Sequence, residues 1–152
     1  MTPTLIVGLG NPWRGDDGAG PALIRWLRRR PLPAGVGLRE QPADVLALLG
    51  AWEGWPRVIL VDAMRSGASP GTLRRCDPVR PLLGEGFRHA SNHRLGLADT
   101  LELARVLGRL PPLLEIHAIE GADFDSRAGL SRPVARAVVR LGRSLREELL
   151  AA

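Results

Sequence analysis

The sequence predicts an α/β domain in which helices cover both faces of a mostly parallel β-sheet, a three-layer α/β/α arrangement. Two observations lead to this prediction. Short apolar runs alternate with longer segments in which apolar residues recur every three or four positions, as is typical of strand-helix-strand units. No internal repeat, low-complexity tract or linker interrupts the 152 residues, so we expect a single domain, 1–152, with its own hydrophobic core.

The first half of the chain contains three predicted strands and two predicted helices. The first strand is a continuous apolar run before a glycine-rich loop, as expected for a buried strand. The first helix has an apolar face and ends in three arginines, whose positive charges complement the negative end of the helix dipole. Pro31 then stops the helix. The predicted elements are strand Thr4–Leu9, a helix with Ala19, Ala22, Leu23, Trp26 and Leu27 on one face and Arg28, Arg29 and Arg30 at its end, strand Val36–Glu40, helix Ala43–Leu49 and strand Arg57–Val61.

The second half continues the same alternation. A strand is expected after the turn signal Pro70-Gly71. The last helix is expected to begin at Ser131 as its N-cap, with Pro133 in its first turn. The predicted elements are strand Thr72–Cys76, helix Arg94–Leu107 with Leu97, Leu101 and Ala104 facing inward, strand Leu113–Ile119, and a final helix with Val134, Val138, Leu141, Leu145 and Leu149 on its apolar stripe.

Composition restricts the classes of partner. The formal net charge is +5 and all 21 basic residues are Arg, a balance compatible with an acidic partner or with nucleic acid. Apart from Arg28–Arg30 the arginines are scattered, and Tyr is absent, whereas a nucleic-acid surface interleaves cations with base-stacking aromatics. We therefore expect no nucleic-acid partner; a compositional bias of the source organism explains an arginine-only chain equally well.

The single cysteine and the N-terminal segment indicate a cytoplasmic protein. Cys76 stands alone, which excludes a disulfide framework and a thiolate metal cluster within one chain. No basic segment followed by a long apolar run opens the sequence. The apolar stretch Leu5–Leu9 is too short for a signal peptide or a membrane span, so we also expect no membrane partner.

Three acidic residues follow predicted strands and are expected to meet at one edge of the sheet. Ligands of open α/β sheets bind beyond the carboxyl ends of the strands, where the strand order reverses. Asp16 and Asp17 follow the first strand and Asp62 follows the third. Each has a simpler explanation, as an N-cap and first-turn residue or as a turn residue. Two carboxylates in one crevice do not both ionise readily unless a cation neutralises them.

His93, at the start of a predicted helix, is the third candidate ligand. Two carboxylates and an imidazole suit a divalent transition metal such as nickel or zinc and leave coordination positions open. A lone histidine in this place is also explained as a surface or capping residue. The loop is not a dinucleotide fingerprint, because Trp13 stands where the G-x-G-x-x-G pattern after Gly8 and Gly10 requires glycine.

Four segments in order resemble the motifs of the hydrogenase maturation proteases, over nearly the whole chain. That family removes a C-terminal extension from the large-subunit precursor of a nickel hydrogenase after nickel insertion, so the precursor is the expected partner. The resemblance also implies a twisted five-stranded sheet with one antiparallel strand. The segments are Gly8-x-Gly10-Asn11 with Asp16-Asp17-Gly18-x-Gly20, Val61-Asp62-Ala63, Ser91-x-His93-x-x-Gly96-Leu97, and Gly121 followed by Gly129-Leu130-Ser131.

The resemblance implies Asp17, Asp62 and His93 as ligands of a nickel ion that the substrate supplies; Zn²⁺ or Cd²⁺ could take the same position in a crystal. Many relatives carry Glu at the position of Asp17. The side chain of Asp17 is therefore shorter than theirs by one methylene. Asp16 is the alternative site residue, or a cap.

The chemistry implied is that of a nickel-dependent, aspartyl-type endopeptidase, with Asp17 and Asp62 as its catalytic carboxylates. Cys76 and Ser91 are better explained as a core residue and a cap than as nucleophiles, so water is expected to attack. Nickel would activate that water or the scissile carbonyl, or Asp16 or Asp17 would act as general base. Nickel serving in recognition alone remains a further alternative.

Two other functions stay open. Leu5–Pro12 also resembles the opening of peptidyl-tRNA hydrolase, although the segment that follows departs from that family. A non-catalytic metallochaperone that docks on the same precursor would use the same ligands. Glu120, Asp123 and Asp125 follow the last strand and would line a substrate groove or form a solvated loop.

Overall fold

A five-stranded sheet in the order β2-β1-β3-β5-β4 forms the middle layer of the fold. The computed structural model describes residues 1–42, 44–76, 97–125 and 128–152. The strands are β1 (Thr4–Leu9), β2 (Val36–Gln41), β3 (Arg57–Met64), β4 (Leu73–Cys76) and β5 (Leu113–Glu120), and the helices are a 3-10 turn (Gly15–Gly18), α1 (Ala19–Arg28), α2 (Val45–Trp52), α3 (Leu97–Val106) and α4 (Arg132–Ala151).

The sheet is mostly parallel, as predicted. β1 pairs in parallel with β2 and β3, and β3 pairs in parallel with β5. Among the strands of the described residues, only β4, at the edge, runs antiparallel to its neighbour β5, which confirms the single antiparallel strand implied by the family resemblance. The chain passes from β1 to β2 on one side and then crosses to β3 on the other, so the strand order reverses between β1 and β3.

Three strands, β2, β3 and β5, continue further than predicted, and β2 does so by one residue, to Gln41. β3 extends to Met64 instead of ending at Val61, because Asp62 and the two residues after it pair with β5. Asp62 therefore lies within the paired part of β3, and not after the strand. β5 likewise extends to Glu120.

The helix boundaries differ from the prediction at several ends: α1 ends at Arg28 and not at Arg30, and α3 ends at Val106 and not at Leu107. α2 begins two residues later than predicted and ends at Trp52, because the side chain of Asp44 caps it by accepting hydrogen bonds from the amides of Leu46 and Ala47. The predicted start of the third helix at Arg94 lies outside the described residues, and the described part is Leu97–Val106.

Separate hydrophobic clusters fill the two faces of the sheet. α1 and α4 cover one face, and α2 and α3 cover the other. The predicted stripe of α4 is buried throughout, which confirms its period. In α1, Trp26 is only half-buried, against Gly142 of α4, and Ile24 is fully buried instead. Within the described residues, no helix is both long enough and apolar enough to cross a bilayer.

Two glycines bring α1 into direct contact with the end of β1. A Cβ on Gly8 would lie 2.2 Å from the carbonyl oxygen of Gly20, and a Cβ on Gly20 would lie 2.4 Å from the carbonyl oxygen of Leu9. Only glycine allows this backbone approach. It places the 3-10 turn before α1, with its two aspartates, against the carboxyl edge of the sheet.

Candidate active site

Asp17 and Asp62 come together at the carboxyl edge of the sheet, beside the point where the strand order reverses. Asp17 comes from the 3-10 turn after β1 and Asp62 from the end of β3. Both are buried, with 3% and 2% of their surface exposed. This is the position at which open α/β sheets bind ligands.

Burial and mutual repulsion act together on this carboxylate pair. Desolvation raises the pKa of Asp62 well above its usual value, and the negative charge of Asp17 raises it further. The amide of Ala63, which donates a 2.8 Å hydrogen bond to Asp62 Oδ1, opposes the shift only in part. A proton on Asp62 or a cation bound beside it would relieve this repulsion.

The loop between β1 and α1 fixes the orientation of Asp17. The amide of Asn11 donates a 2.8 Å hydrogen bond to Asp17 Oδ2. Gly10 has φ of 133°, and a Cβ there would lie 1.9 Å from the carbonyl oxygen of Asp17. The Gly10-Asn11 step thus wraps the backbone around this aspartate, which explains two residues of the opening motif.

Asp16 has a different environment from its neighbour. It is fully buried, and its carboxylate accepts hydrogen bonds from the amides of Ala122 and Asp123, at 2.7 and 3.0 Å. It also accepts from the amide and hydroxyl of Ser131, at 2.7 and 2.8 Å. Asp16 therefore fastens the segment between β5 and α4 to the opening loop, and this full set of donors supports a structural role.

Ser131 precedes α4 as its N-cap, as predicted, but its side chain forms no capping bond to the helix. Its hydroxyl is directed to Asp16 instead. The sequence expectation that Asp16 caps its own helix is also wrong, because the 3-10 turn has no side-chain cap at its start.

His93 and Ser91 lie outside the described residues, so the third predicted ligand stays a prediction. Within the described ranges, no group of three or more metal-ligating side chains is present. The described part contributes the two carboxylates of Asp17 and Asp62, which are hard oxygen donors.

Glu120 fixes the turn that follows β3. It is 2% exposed, and its carboxylate accepts hydrogen bonds from the amide and hydroxyl of Ser66, at 2.9 and 2.7 Å, and from the amide of Gly67, at 3.1 Å. The expectation that Glu120 faces a groove or a solvated loop is wrong. A Glu at the end of a buried strand was the available signal for this role.

Two further features at this edge were missed by the sequence reasoning. Trp13, in the loop before Asp17, is 70% exposed. The guanidinium of Arg65, which follows β3, lies 4.4 Å from the ring centre of Phe124. Neither has a sequence signal beyond its position next to a predicted strand end.

Cys76 is unsuited to nucleophilic attack. The thiol is buried in the core on the α2–α3 face of the sheet. Burial raises its pKa, and the positive charge of Arg74 offsets this only in part. Because the thiolate is the reactive form, this cysteine is a core residue.

Comparison with known proteins gives consistent results. The sequence profile of a family described as "HycI: Hydrogenase maturation protease" matches residues 29–147. "Hydrogenase expression/formation protein HupD" of Rhodobacter capsulatus is 30% identical over 132 residues, covering 85% of this chain and 62% of that protein. "Hydrogenase 2 maturation protease" of Escherichia coli is 29% identical over 134 residues, covering 86% of this chain and 80% of that protein.

The fold is also shared with solved structures. The hydrogenase maturating endopeptidase HybD from E. coli superposes with a TM-score of 0.76 and 28% identity, covering 97% of this chain and 94% of that chain. The first curated relatives are longer, since the chain spans 62%, 64% and 59% of their length.

Proposed function

Since this chain belongs to the hydrogenase maturation protease family, we propose that it is an endopeptidase that removes a C-terminal extension from a nickel hydrogenase large-subunit precursor. The observation that carries the proposal is the buried pair Asp17 and Asp62 at the reversal of strand order. The peptidyl-tRNA hydrolase resemblance of Leu5–Pro12 is set aside by family membership. The reaction would take place in the cytoplasm.

The two carboxylates fit a divalent cation. Each is buried, and the negative charge of Asp17 raises the pKa of Asp62. A doubly charged cation would offset the repulsion between the two carboxylates. Asp17, Asp62 and His93 would hold the ion, and carboxylate and imidazole ligands suit nickel or zinc. We propose that the precursor brings this nickel as part of the substrate, so that only the loaded precursor docks.

Hydrolysis then uses water as the nucleophile, because Cys76 is buried in the core. The oxygen of water attacks the carbonyl carbon of the scissile peptide, and Asp17 takes up the proton that water releases. The proton passes to the leaving nitrogen as the C–N bond breaks, giving a new C-terminal carboxylate and a free amine on the released peptide. A metal ion at the pair supplies positive charge that polarises the carbonyl.

The test is the intact mass of the precursor after incubation with the protein, with and without nickel loading. We expect a single C-terminal mass loss with the loaded precursor only. Asp17→Asn and Asp62→Asn should abolish the loss, while Glu147→Gln, which changes an exposed carboxylate on α4, should leave it intact. Cleavage at wild-type rate by both site variants would overturn the assignment of the site.

The same experiment separates the metallochaperone alternative, which requires the same acidic pair without bond cleavage. Nickel-dependent binding of the precursor, with no loss of mass, would favour that alternative over the protease. Equal cleavage of loaded and unloaded precursor would support the endopeptidase activity and show that nickel is not needed for recognition.

A further inference from the structure

Trp13 exposes its indole on the loop that leads from β1 to Asp17. It is 70% exposed, whereas Trp52 is 2% exposed and Trp26 and Trp55 are half-buried. Among the exposed large hydrophobic side chains of the described residues, it is the one aromatic. Tryptophan is enriched at binding hot spots, where its large apolar surface is removed from water by a partner.

The backbone that carries Trp13 is held by a series of hydrogen bonds. Asn11 Oδ1 accepts from the amide of Trp13 at 2.9 Å. The amide of Arg14 donates to the carbonyl of Asn11, and the amide of Asp17 donates to the carbonyl of Arg14, each at 3.1 Å. Because the loop is ordered before any partner binds, the entropy lost on binding through it is reduced.

Asn11 connects Trp13 to the carboxylate pair. Its side chain accepts from the amide of Trp13, and its own amide donates to Asp17 Oδ2 at 2.8 Å. The exposed ring and the proposed catalytic carboxylate therefore belong to one hydrogen-bonded loop. Trp13 precedes Asp17 by four residues in this loop, so its backbone lies close to a peptide that binds at Asp17.

We infer that Trp13 is a specificity-determining residue that contacts an apolar side chain of the precursor close to the cleaved bond. The inference rests on the proposed function and names the chemistry of a substrate position. A cationic side chain would be repelled by Arg14, the next residue, and by the net positive charge of the chain. The indole of Trp13 offers mainly apolar surface, and an apolar side chain covers that surface without losing the hydration of a charge, so an apolar side chain fits best.

The experiment measures steady-state cleavage of the nickel-loaded precursor by wild type, Trp13→Ala and Trp13→Phe. For Trp13→Ala we expect KM to rise about tenfold with kcat within about twofold, since a binding contact is lost and the chemistry is not. Trp13→Phe should recover most of the KM. Leu113→Ala is the matched control: this leucine is 54% exposed at the start of β5, at the opposite edge of the sheet.

The substrate side of the contact is located with a double-mutant cycle. Each apolar precursor residue within four positions of the cleaved bond is changed to Ala, and one of these changes should raise KM for wild type but have no further effect in Trp13→Ala. Simple additivity at every position would overturn the contact. Coupling to a charged precursor residue instead of an apolar one would overturn the proposed chemistry.

Failure of the inference and failure of the proposed function are distinguishable. Unchanged KM in Trp13→Ala, or a fall in kcat alone, overturns the inference while cleavage by wild type upholds the protease. If wild type binds the precursor without cutting it, the proposal that the protein is a protease is wrong. The Kd of Trp13→Ala for the intact precursor then decides the inference, with about a tenfold weakening expected. If wild type neither cuts nor binds, both fall together.

Discussion

Ser131 donates two hydrogen bonds to the carboxylate of Asp16, a residue 115 positions earlier in the chain, through its amide at 2.7 Å and its hydroxyl at 2.8 Å. The contact joins the start of α4 to the loop that precedes α1. It explains why the acidic dipeptide of the opening motif contains two residues with separate tasks: Asp16 fastens two loops together, and Asp17 faces Asp62.

Replacing Asp16 should destabilise the protein strongly. In Asp16→Ala the amides of Ala122, Asp123 and Ser131 lose a fully buried charged acceptor, and hydrogen bonds to charged groups contribute about 1.5–3 kcal/mol each. We expect a loss of about 3–5 kcal/mol in the free energy of unfolding, measured by urea denaturation. Asp125→Ala, an exposed position in the same segment, should change it by less than about 0.5 kcal/mol. A similar small change in both variants would refute the fastening role.

Asp62→Asn should make the metal-free protein more stable at neutral pH. The pKa of Asp62 is raised in the native state by burial and by Asp17, so the native state holds this proton more tightly than the unfolded chain. The contribution of Asp62 to stability is therefore most favourable at low pH and decreases as pH rises from about 4 through the native pKa. The variant lacks this decrease.

The measurement is the free energy of unfolding at several pH values, for wild type and Asp62→Asn, in the presence of a chelator. The two curves should meet near pH 4 and separate in favour of the variant toward pH 7. A variant that is less stable at pH 7 would show that the ionised Asp62 has a stabilising partner.

Gly20→Ala should be far more damaging than another glycine-to-alanine change in a helix. The new Cβ would lie 2.4 and 2.6 Å from the carbonyl oxygen and amide nitrogen of Leu9, and 2.7 Å from the carbonyl oxygen of Val61. These are backbone atoms that cannot rotate away, so we expect a loss of about 3 kcal/mol or more, above the usual range for overpacking.

Gly50→Ala is the matched control for that change. Gly50 lies within α2 with nothing within 4 Å of its Cβ position, so alanine should stabilise the helix by about 0.5–1 kcal/mol. Thermal unfolding of both variants gives the comparison. Equal effects of the two changes would mean that α1 can move away from β1 at little cost.

Glu115 should stabilise the protein in a pH range opposite to that of Asp62. Contact with His117, whose Nε2 lies 3.5 Å from Glu115 Oε2, together with Arg57 and Arg75, outweighs burial and lowers the pKa of Glu115 to about 2. The stabilisation is present above the unfolded pKa of about 4.3 and is lost as pH falls toward 2.

Glu115→Gln should therefore lower the free energy of unfolding at pH 7 by about 1–2 kcal/mol, after allowance for solvent screening. The difference from wild type should shrink between pH 4 and pH 2. Glu102→Gln, which removes an exposed ion pair with Arg105 on α3, should cost less than about 0.5 kcal/mol at any pH. A pH-independent effect of Glu115→Gln would contradict the lowered pKa.

Periodicity predicted the elements well where one face of an element is buried. The stripe of α4 and the apolar run of β1 are set by contact with the sheet, and the sequence pattern records that contact. Asp17 and Asp62 could be assigned to one edge for a related reason, because parallel strands end on the same side. The ends of β3 and β5 were missed because their last residues pair with each other, and cross-strand pairing leaves no period in either segment.

Long-range polar contacts could not be predicted from spacing. Asp16 finds its donors more than a hundred positions away, and Glu120 finds Ser66 on the turn after a neighbouring strand. When a polar side chain has several possible partners, its actual partner is known only once the fold shows which of them lies near. The exposure of Trp13 could not be predicted either, because an aromatic side chain in a loop occurs in both buried and exposed positions.

The position of β5 between β3 and β4 has a consequence for synthesis. β3 carries the run Val58–Val61, buried on both faces in the finished sheet, and one of its edges is completed only by β5. While the ribosome makes the segment between them, that apolar edge has no partner and is open to pairing with other chains. We therefore expect slow translation of the segment before Leu113 to favour aggregation over folding.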